Sequence, residues 1–486
     1  MPPATATRRT DALGPALVPR PMFRHVVCIY PYPRTSSSRT SFPPLGLEYV
    51  AAALRPYAEQ IELINFRHEK RPSTRSFLRP QTDLVCYSIN WRMNLALICD
   101  DINALPPGVT VIVGGRTATE DPRYWLEACP NVDAVVCGDG EQTMAEIGQG
   151  RPWPEVAGLV YRGDGGQLVF NPPRANAPLD EDLMPARDLR RQPYYLTSKG
   201  VSTGIKVDKI AGSRGCPFNC KFCSFSINPW GVKRCWTPRS PASIVREIQQ
   251  IDAELVLFVD DIFTHQPDRV IEICDLLIAK GIRKHYIANA RSDIANRPDV
   301  LRKMEQAGFL ALLIGVESTQ DATLKSMGKG FTIQQVRQRF DVLRQSKMLI
   351  NAYFIVGNIG ETEEQMLSTA SFARSLGVDL IHVSRLRNEP YSGLAELVQQ
   401  TPGYHIDAGG MVFSDALSAE QIGNLRKRID RRFHNPLHVA GVILKLMRIL
   451  NWRVKAKALV TLPSFLTLLA AAQADHKLRK WMRKAA

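Results

Sequence analysis

Gly212-Ser213-Arg214-Gly215-Cys216-Pro217-Phe218-Asn219-Cys220-Lys221-Phe222-Cys223 is the stretch on which the reading of this chain turns. It follows a short apolar strand, residues 209–212, and places three cysteines in eight residues. Thiolates are the usual ligands of iron–sulfur clusters, and a full set is four. Three therefore leave one iron open, and an open metal position is where substrate or cofactor binds. The alternative is a zinc knuckle with Cys235 as fourth ligand, although zinc sites usually come as two separated pairs. Cys235 otherwise reads as an unrelated loop cysteine. Cys28, Cys86, Cys99, Cys129, Cys137 and Cys274 mostly lie in apolar runs and read as small core residues. The clustered triplet points to a metal site in a reducing compartment, not to a disulfide scaffold.

Downstream of the triplet, apolar runs at 255–259, 285–290, 311–316, 351–356 and 380–384 read as strands. Amphipathic helices at 241–251, 267–280, 298–307, 333–346 and 363–376 separate them. With the run at 209–212 this alternation predicts a partial α/β barrel, whose chemistry sits at the C-terminal ends of its strands. Upstream, strands at 25–30, 61–66, 84–89, 109–113 and 132–137 alternate with helices, one of them at 45–54. They predict a parallel doubly wound sheet, with ligands outside its carboxyl ends. Gly114-Gly115 and Gly138–Glu141 fall at those ends. Between the two, residues 151–205 read as a linker with a hairpin, 158–161 against 168–171. Expected boundaries are 1–22, a disordered extension without the apolar run of a secretory signal, then 23–150, the linker, 206–395 for the barrel, and 396–486 for a helical tail.

The Cys-x3-Cys-x2-Cys loop with an aromatic before its last cysteine resembles the signature of the radical S-adenosylmethionine (SAM) superfamily. Phe258-Val-Asp260-Asp261, Asn289-Ala-Arg291-Ser-Asp293, Ile314-Gly315-Val-Glu317-Ser318 and Phe354-Ile-Val-Gly357 resemble the motifs of the following strands, in order. The resemblance implies a [4Fe-4S] cluster on Cys216, Cys220 and Cys223, with SAM on the open iron. It also implies a SAM pocket made by Phe222, Asp261, Arg291, Glu317 and Gly357. Taken singly, those charged residues also read as ordinary ion pairs at strand ends, and Gly357 as a turn glycine.

Residues 23–150 resemble the cobalamin-binding domain fused to many radical SAM enzymes, through Pro43-Pro-Leu45-Gly46, Val113-Gly114-Gly115-Arg116-Thr117 and Val136-Cys-Gly138-Asp-Gly140-Glu141. The resemblance implies cobalamin contacts from Leu45, Gly46, Ser88, Gly114, Gly115, Thr117, Gly138 and Glu141. The loop at 31–41 has no histidine, so no histidine ligand to cobalt is expected; Ser88, Asn90, Trp91 and Arg92 are nearest to the lower face. A domain that keeps the fold without cobalamin is the alternative.

Net charge is +15, but residues 421–486 alone hold fifteen Lys/Arg against two Asp/Glu. The body is nearly neutral, which argues against a nucleic-acid groove across it. The tail joins a charged helix at 417–433, with Ser418 as its N-cap, to apolar runs at 439–450 and 456–472. Its longest uncharged stretch, 458–474, contains Pro463 and is shorter than a span of ~20 residues. Two placements follow: a basic amphipathic surface on anionic lipid, or a helical cap over the barrel mouth. The expected partners are a hydrophobic small molecule and an external electron donor, in the cytoplasm or peripherally on the inner membrane face. Three activities follow from the resemblance: methyl transfer from methylcobalamin to an unactivated carbon, oxidation or cyclisation as in the anaerobic cyclase of chlorophyll synthesis, or regulation without catalysis. The last would leave the cysteine triplet without a use. Arg385-Leu-Arg-Asn-Glu389-Pro-Tyr-Ser-Gly together with the tail is similar to hopanoid methylases.

Overall fold

Strand β1 (Phe23–Tyr30) is apolar over most of its length, as a parallel strand covered on both faces must be. In the computed structural model, which describes residues 21–33, 42–70, 72–179, 181–198, 201–223, 235–390 and 392–457, it sits inside a seven-stranded sheet. Around it run α1 (Leu45–Leu54), β2 (Ala58–Asn65), β3 (Thr82–Ser88), α2 (Leu95–Asn103), β4 (Thr110–Gly114), α3 (Arg116–Glu120), α4 (Pro122–Ala128), β5 (Ala134–Val136) and α5 (Gly140–Gly148). Strands β1 to β5 are mutually parallel, with cores on both faces: Val27, Val85 and Val113 on one, Val26, Leu84 and Ile112 on the other.

The hairpin β6 (Leu159–Arg162) and β7 (Leu168–Phe170) does not float in a linker. It pairs antiparallel onto β5 and extends this sheet. Cys99 and Cys129, expected to be free, form a disulfide between α2 and the end of α4. Their Cα atoms lie 5.5 Å apart, the usual separation for a bridge. Cys28, Cys86, Cys137 and Cys274 are free and buried.

The second sheet is a half-barrel. Strands β8 (Tyr195–Ser198) and β9 (Val201–Ile210) form an antiparallel hairpin, so the first barrel strand starts eight residues before position 209. Residues 201–208 carry the alternation of a half-buried strand, with Ile205 and Val207 buried. After β9 come β10 (Ser213–Arg214), β11 (Thr237–Pro238), α6 (Pro241–Gln250), β12 (Leu255–Phe258), α7 (Pro267–Ala279), β13 (His285–Ala290), α8 (Pro298–Ala307) and β14 (Phe309–Glu317). Then follow α9 (Asp321–Ser326), α10 (Ile333–Leu343), β15 (Leu349–Val356), α11 (Glu363–Ser375), β16 (Leu380–Arg385), α12 (Leu394–Gln399), β17 (Tyr404–Ile406) and β18 (Val412–Ser414). Strands β9 and β12 to β16 pair in parallel. Alternate residues such as Phe258, Ala288, Ile314 and Phe354 pack against the helices, leaving Leu257, Ile287, Leu313 and Tyr353 facing the interior.

The tail is built into the barrel. In α13 (Ala419–Phe433), Ser418 and Gln421 form a capping box, and Ile422, Leu425, Ile429 and Phe433 enter the outer core. After α14 (Pro436–Ile449), Leu450 and Val454 pack on Val207, Leu255 and Leu310 near the N-terminal ends of the strands. Lys445 pairs with Asp379, and Asn451 N–H donates to His285 Nε2 at 3.1 Å. Through residue 457 the tail therefore closes the end opposite the cysteine loop, not the mouth; the run at 458–472 lies outside the described residues. No helix among the described residues is long and apolar enough to cross a membrane.

Six charged side chains meet between the two domains, with Glu48, Asp208, Glu247 and Arg239 buried and Arg187 and Arg190 nearly so. Arg190 donates to both oxygens of Glu48 at 2.7 Å and to Asp208 at 2.7 and 2.8 Å. Arg187 bridges Asp208 and Glu247, and Glu247 in turn receives Arg239. Tyr49 of α1 donates to the same Glu247 oxygen as Arg239, at 3.1 Å. Removing one member of such a set leaves uncompensated charge in a dry interior. Arg190→Met should therefore destabilise the fold by ~3–5 kcal/mol, read as a lower midpoint in urea denaturation.

Candidate functional site

The cysteine loop is held at its stem by Asp260, at the end of β12. Gly212 N–H donates to Asp260 Oδ2 at 2.9 Å and Ser213 Oγ to Oδ1 at 2.5 Å. Arg239 N–H and the Arg269 guanidinium both donate to Gly212 C=O. Lys221 N–H donates to Met327 C=O and Cys223 N–H to Cys220 C=O, each at 3.0 Å. Cys216, Cys220 and Cys223 are all partly exposed, and Cys235 is exposed. Burial pushes the Cys216 thiol up, Asp261 and Cys220 add to the shift, and the Phe218 backbone and Arg291 oppose it. These groups thus lie within electrostatic reach of one another. Among the described residues no three His, Cys, Asp or Glu side chains converge on a single ion. A cubane does not ask for that, because each thiolate binds its own iron. Three partly exposed thiols on one tethered loop fit a cluster with one iron left open.

Beside the loop, the Arg291 guanidinium lies 3.8 Å over the Phe218 ring and donates to Lys329 C=O at 2.8 Å. Lys329 Nζ donates to Glu317 Oε1 at 3.1 Å and stands 5.8 Å from the Phe222 ring centre. Glu317 has φ +75°, a left-handed conformation rare outside glycine, at a bulge in the β14–β15 register. Such strain is concentrated at functional sites. Of the expected pocket residues, Phe222, Asp261, Arg291 and Glu317 come together here. Phe218 and Lys329 join them without having been singled out; the aromatic inside the cysteine loop was the available signal for the first. Gly357 is placed differently. Its N–H donates to Glu361 Oε2 at 2.9 Å, and Ile422 of α13 fills the space a side chain would need.

The N-terminal sheet presents its own rim. Gly46 and Gly138 have open space where a Cβ would stand. Gly138 N–H donates to Thr119 Oγ1 at 3.0 Å. Trp91 and Met93 are about half exposed, at 54% and 48%. Asn90 and Trp91 N–H both donate to Tyr32 Oη, which pins the loop after β3. Ser88 accepts from Asn90, and Arg92 pairs with Glu120. Bare backbone beside exposed apolar side chains suits a broad flat ligand such as a corrin. Gly114, Gly115, Thr117 and Leu45 are bound up in the protein instead. A Cβ at Gly115 would lie 2.7 Å from Ile89 C=O, and Thr117 N–H donates to that carbonyl. Leu45 packs on Leu179 and Ala211.

Two arginines show that the rims face each other. Arg214 of the cysteine loop meets Glu141 and Asp139, and Arg116, after Gly115, meets Glu389 beyond β16 at 3.3 Å. Next to Glu389 lies a cavity of about 570 Å³ lined by His382, Arg385, Arg387, Glu420 and Arg426. This places the Arg385–Glu389 segment in a polar, mainly cationic setting.

Burial pushes the Asp260 carboxyl up to about 6, against the hydrogen bonds from Ser213 and Gly212. Because the folded value is above the unfolded one, the stability this group contributes is full below the ordinary carboxylate range. It is lost as pH rises through about 6. Asp260→Asn removes that charge. Its unfolding free energy relative to the natural chain should rise by ~1–2 kcal/mol from pH 5 to pH 8, as denaturation of the cofactor-free chain at both pH values would show.

Family models for the radical SAM superfamily and the B12 binding domain match residues 210–373 and 34–148. An uncharacterized methyltransferase of Pyrococcus horikoshii is 29% identical, over 70% of this chain and 75% of its own length. The anaerobic magnesium-protoporphyrin IX monomethyl ester cyclase of Rubrivivax gelatinosus is 28% identical, over 59% and 53%. The hopanoid C-3 methylase of Methylococcus capsulatus is 28% identical, over 66% and 67%. Among solved structures, the radical SAM methyltransferase TsrM of Kitasatospora setae, with cobalamin and a [4Fe-4S] cluster bound, matches with TM-score 0.64 at 16% identity, over 89% of this chain and 90% of its own. The order of the two domains, the cysteine loop and these matches agree: the chain is a radical SAM enzyme with an N-terminal B12-binding domain.

Proposed function

We propose that this enzyme is a cobalamin-dependent C-methyltransferase acting on an unactivated carbon of a hydrophobic substrate, with isoprenoids of the hopanoid type as the leading class. The observation that carries the reading is the opposition of the two rims, cluster loop against corrin rim. When bound, the cluster and SAM supply hydrogen-atom abstraction and cobalamin supplies a methyl group, chemistry that belongs to the cofactors.

The protein holds and orients them. Cys216, Cys220 and Cys223 would hold the cluster, which an external electron donor would reduce. Arg291 and Lys329 offer positive charge to the carboxylate of SAM, with Phe218 and Phe222 beside them. Gly46, Gly138, Trp91 and Met93 offer the surface for the corrin. Leu257, Ile287, Ala311 and Leu349 share one register layer of the barrel interior, with Lys209 as its member on β9, and these four suit an apolar substrate body. The methyltransferase and hopanoid methylase among the relatives support this reading. Oxidative cyclisation is the second reading. It is favoured by Asn351 and by the Tyr353–His382 ring pair, whose centres are 5.4 Å apart, on the interior side of β15 and β16. These would meet a substrate with polar groups.

A peripheral membrane contact goes with the lipid reading. Leu437, Leu444 and Trp452 are exposed beside Arg448 and Arg453, and no acidic residue occurs from 431 to 474.

Anaerobically prepared protein should hold about four irons per chain. Cys216→Ala, Cys220→Ala and Cys223→Ala should each abolish reductive SAM cleavage, while Cys235→Ala leaves it intact. Stoichiometric zinc without iron would refute the cluster. Bound cob(II)alamin should show no axial-nitrogen splitting in its paramagnetic spectrum. Mass spectrometry after incubation with SAM and polycyclic isoprenoids should show a gain of one methyl group, whereas a loss of hydrogens would support cyclisation.

A further inference from the structure

Arg214 stands two residues before the first cysteine, on a backbone held in place. It pairs with Thr237 across the β10–β11 ladder, and its neighbours Gly212 and Ser213 are bonded to Asp260. Its guanidinium leaves the barrel and crosses to the other domain. There it donates to Glu141 Oε1 at 2.5 Å and Oε2 at 3.3 Å, and stands 3.3 Å from Asp139 Oδ2, with the Tyr49 ring 6.0 Å away. Arg214 and Glu141 are only 17% and 12% exposed in their side chains, so solvent screens this contact little.

The receiving end is as firmly placed. Asp139 and Glu141 flank Gly140, whose missing Cβ lets α5 close onto Val50 of α1. Gly138, on the open rim, is the residue before Asp139. One side chain therefore joins a point two residues from a cluster ligand to a point one residue from the corrin rim. The domains do not need it merely to stay together, because the buried set around Glu48, Asp208 and Glu247 already joins them.

We propose that Arg214 is a positioning residue that sets the separation of the two cofactor sites. The inference rests on the two-cofactor reading above. Each cofactor has holding residues other than Arg214, the three cysteines on one side and Gly46, Gly138, Trp91 and Met93 on the other, so loss of the strut leaves both bound and allows their separation to vary. Methyl transfer depends on placing the donor and the substrate carbon together, and errors of an ångström are costly there.

The test uses the full chain, loaded anaerobically with cluster and hydroxocobalamin and then reduced to the paramagnetic cluster and cob(II)alamin. Pulsed electron paramagnetic resonance reads the distance between the two spins. The natural chain should give a narrow distribution. Arg214→Met should keep its iron, cobalamin and substrate-free SAM cleavage while that distribution broadens or shifts. Arg214→Lys should recover part of the narrow peak, and the exchange Arg214→Glu with Glu141→Arg should recover more than Arg214→Glu alone. An unchanged distribution in Arg214→Met overturns the proposal. So does loss of iron or cobalamin from both Arg214→Met and Arg214→Lys, because the residue then serves cofactor retention. A natural chain that takes up the cluster and no cobalamin fails earlier, at the two-cofactor reading, and the proposal falls with it.

Discussion

The site depends first on charge buried where two sheets meet. Glu48, Asp208 and Glu247 are almost fully buried, and Arg187, Arg190 and Arg239 surround them in equal number. Desolvation works against every one of these ions, and it pushes the Glu48 carboxyl up despite the Arg190 guanidinium on it. A well-packed apolar interface would cost less. It would also slide more easily, since dispersion and burial are nearly indifferent to small shifts. Bidentate guanidinium–carboxylate pairs lose their geometry with a small displacement. The set is therefore best understood as a register device: it fixes how α1 of the first domain lies on β9 and α6 of the second.

That register brings the two rims opposite each other, and the contacts from Arg214 and Arg116 then hold the spacing across them. In a doubly wound sheet and in an α/β barrel alike, ligands gather at the carboxyl ends of the parallel strands. A chain with both folds could present those ends in any relative orientation. Here Arg116–Glu389 and Arg214–Glu141 require them to face each other. Leu450 and Val454 close the opposite end, so the mouth beside the cysteine loop is the side left for ligands to enter.

The local chemistry was legible in the sequence, and the long-range placement was not. The cysteine loop could be read because three cysteines sit in eight residues, and most strands because burial on both faces makes them continuous apolar runs. Strand β9 was missed at its start, since Ser202, Gly204, Lys206 and Asp208 alternate with its apolar residues. The segment around Arg187 and Arg190 looked like a linker for a similar reason. A buried guanidinium reads as polar surface until its carboxylates, 142 residues away in the case of Glu48, are brought to it. The Cys99–Cys129 bridge and the floor made by the tail are also contacts between distant segments, and no periodicity records them. Lys329 and the strained Glu317 went unpaired in the sequence because a φ value has no letter.

The glycines show where motif reading stops. Four of the five in the expected cofactor sites show the contrast, having looked alike as places where backbone approaches a ligand. At Gly46 and Gly138 the space is open, so a ligand can use it. At Gly115 the missing Cβ makes room for Ile89 C=O and Asn90, and at Gly357 for Ile422. The second pair works inside the protein: Gly115 brings the β3 and β4 loops into contact, and Gly357 lets α13 lie on the barrel. A glycine motif thus records that something approaches closely without recording what. Here one pair can shape the surface a corrin meets, while the other builds the walls that keep that surface in place.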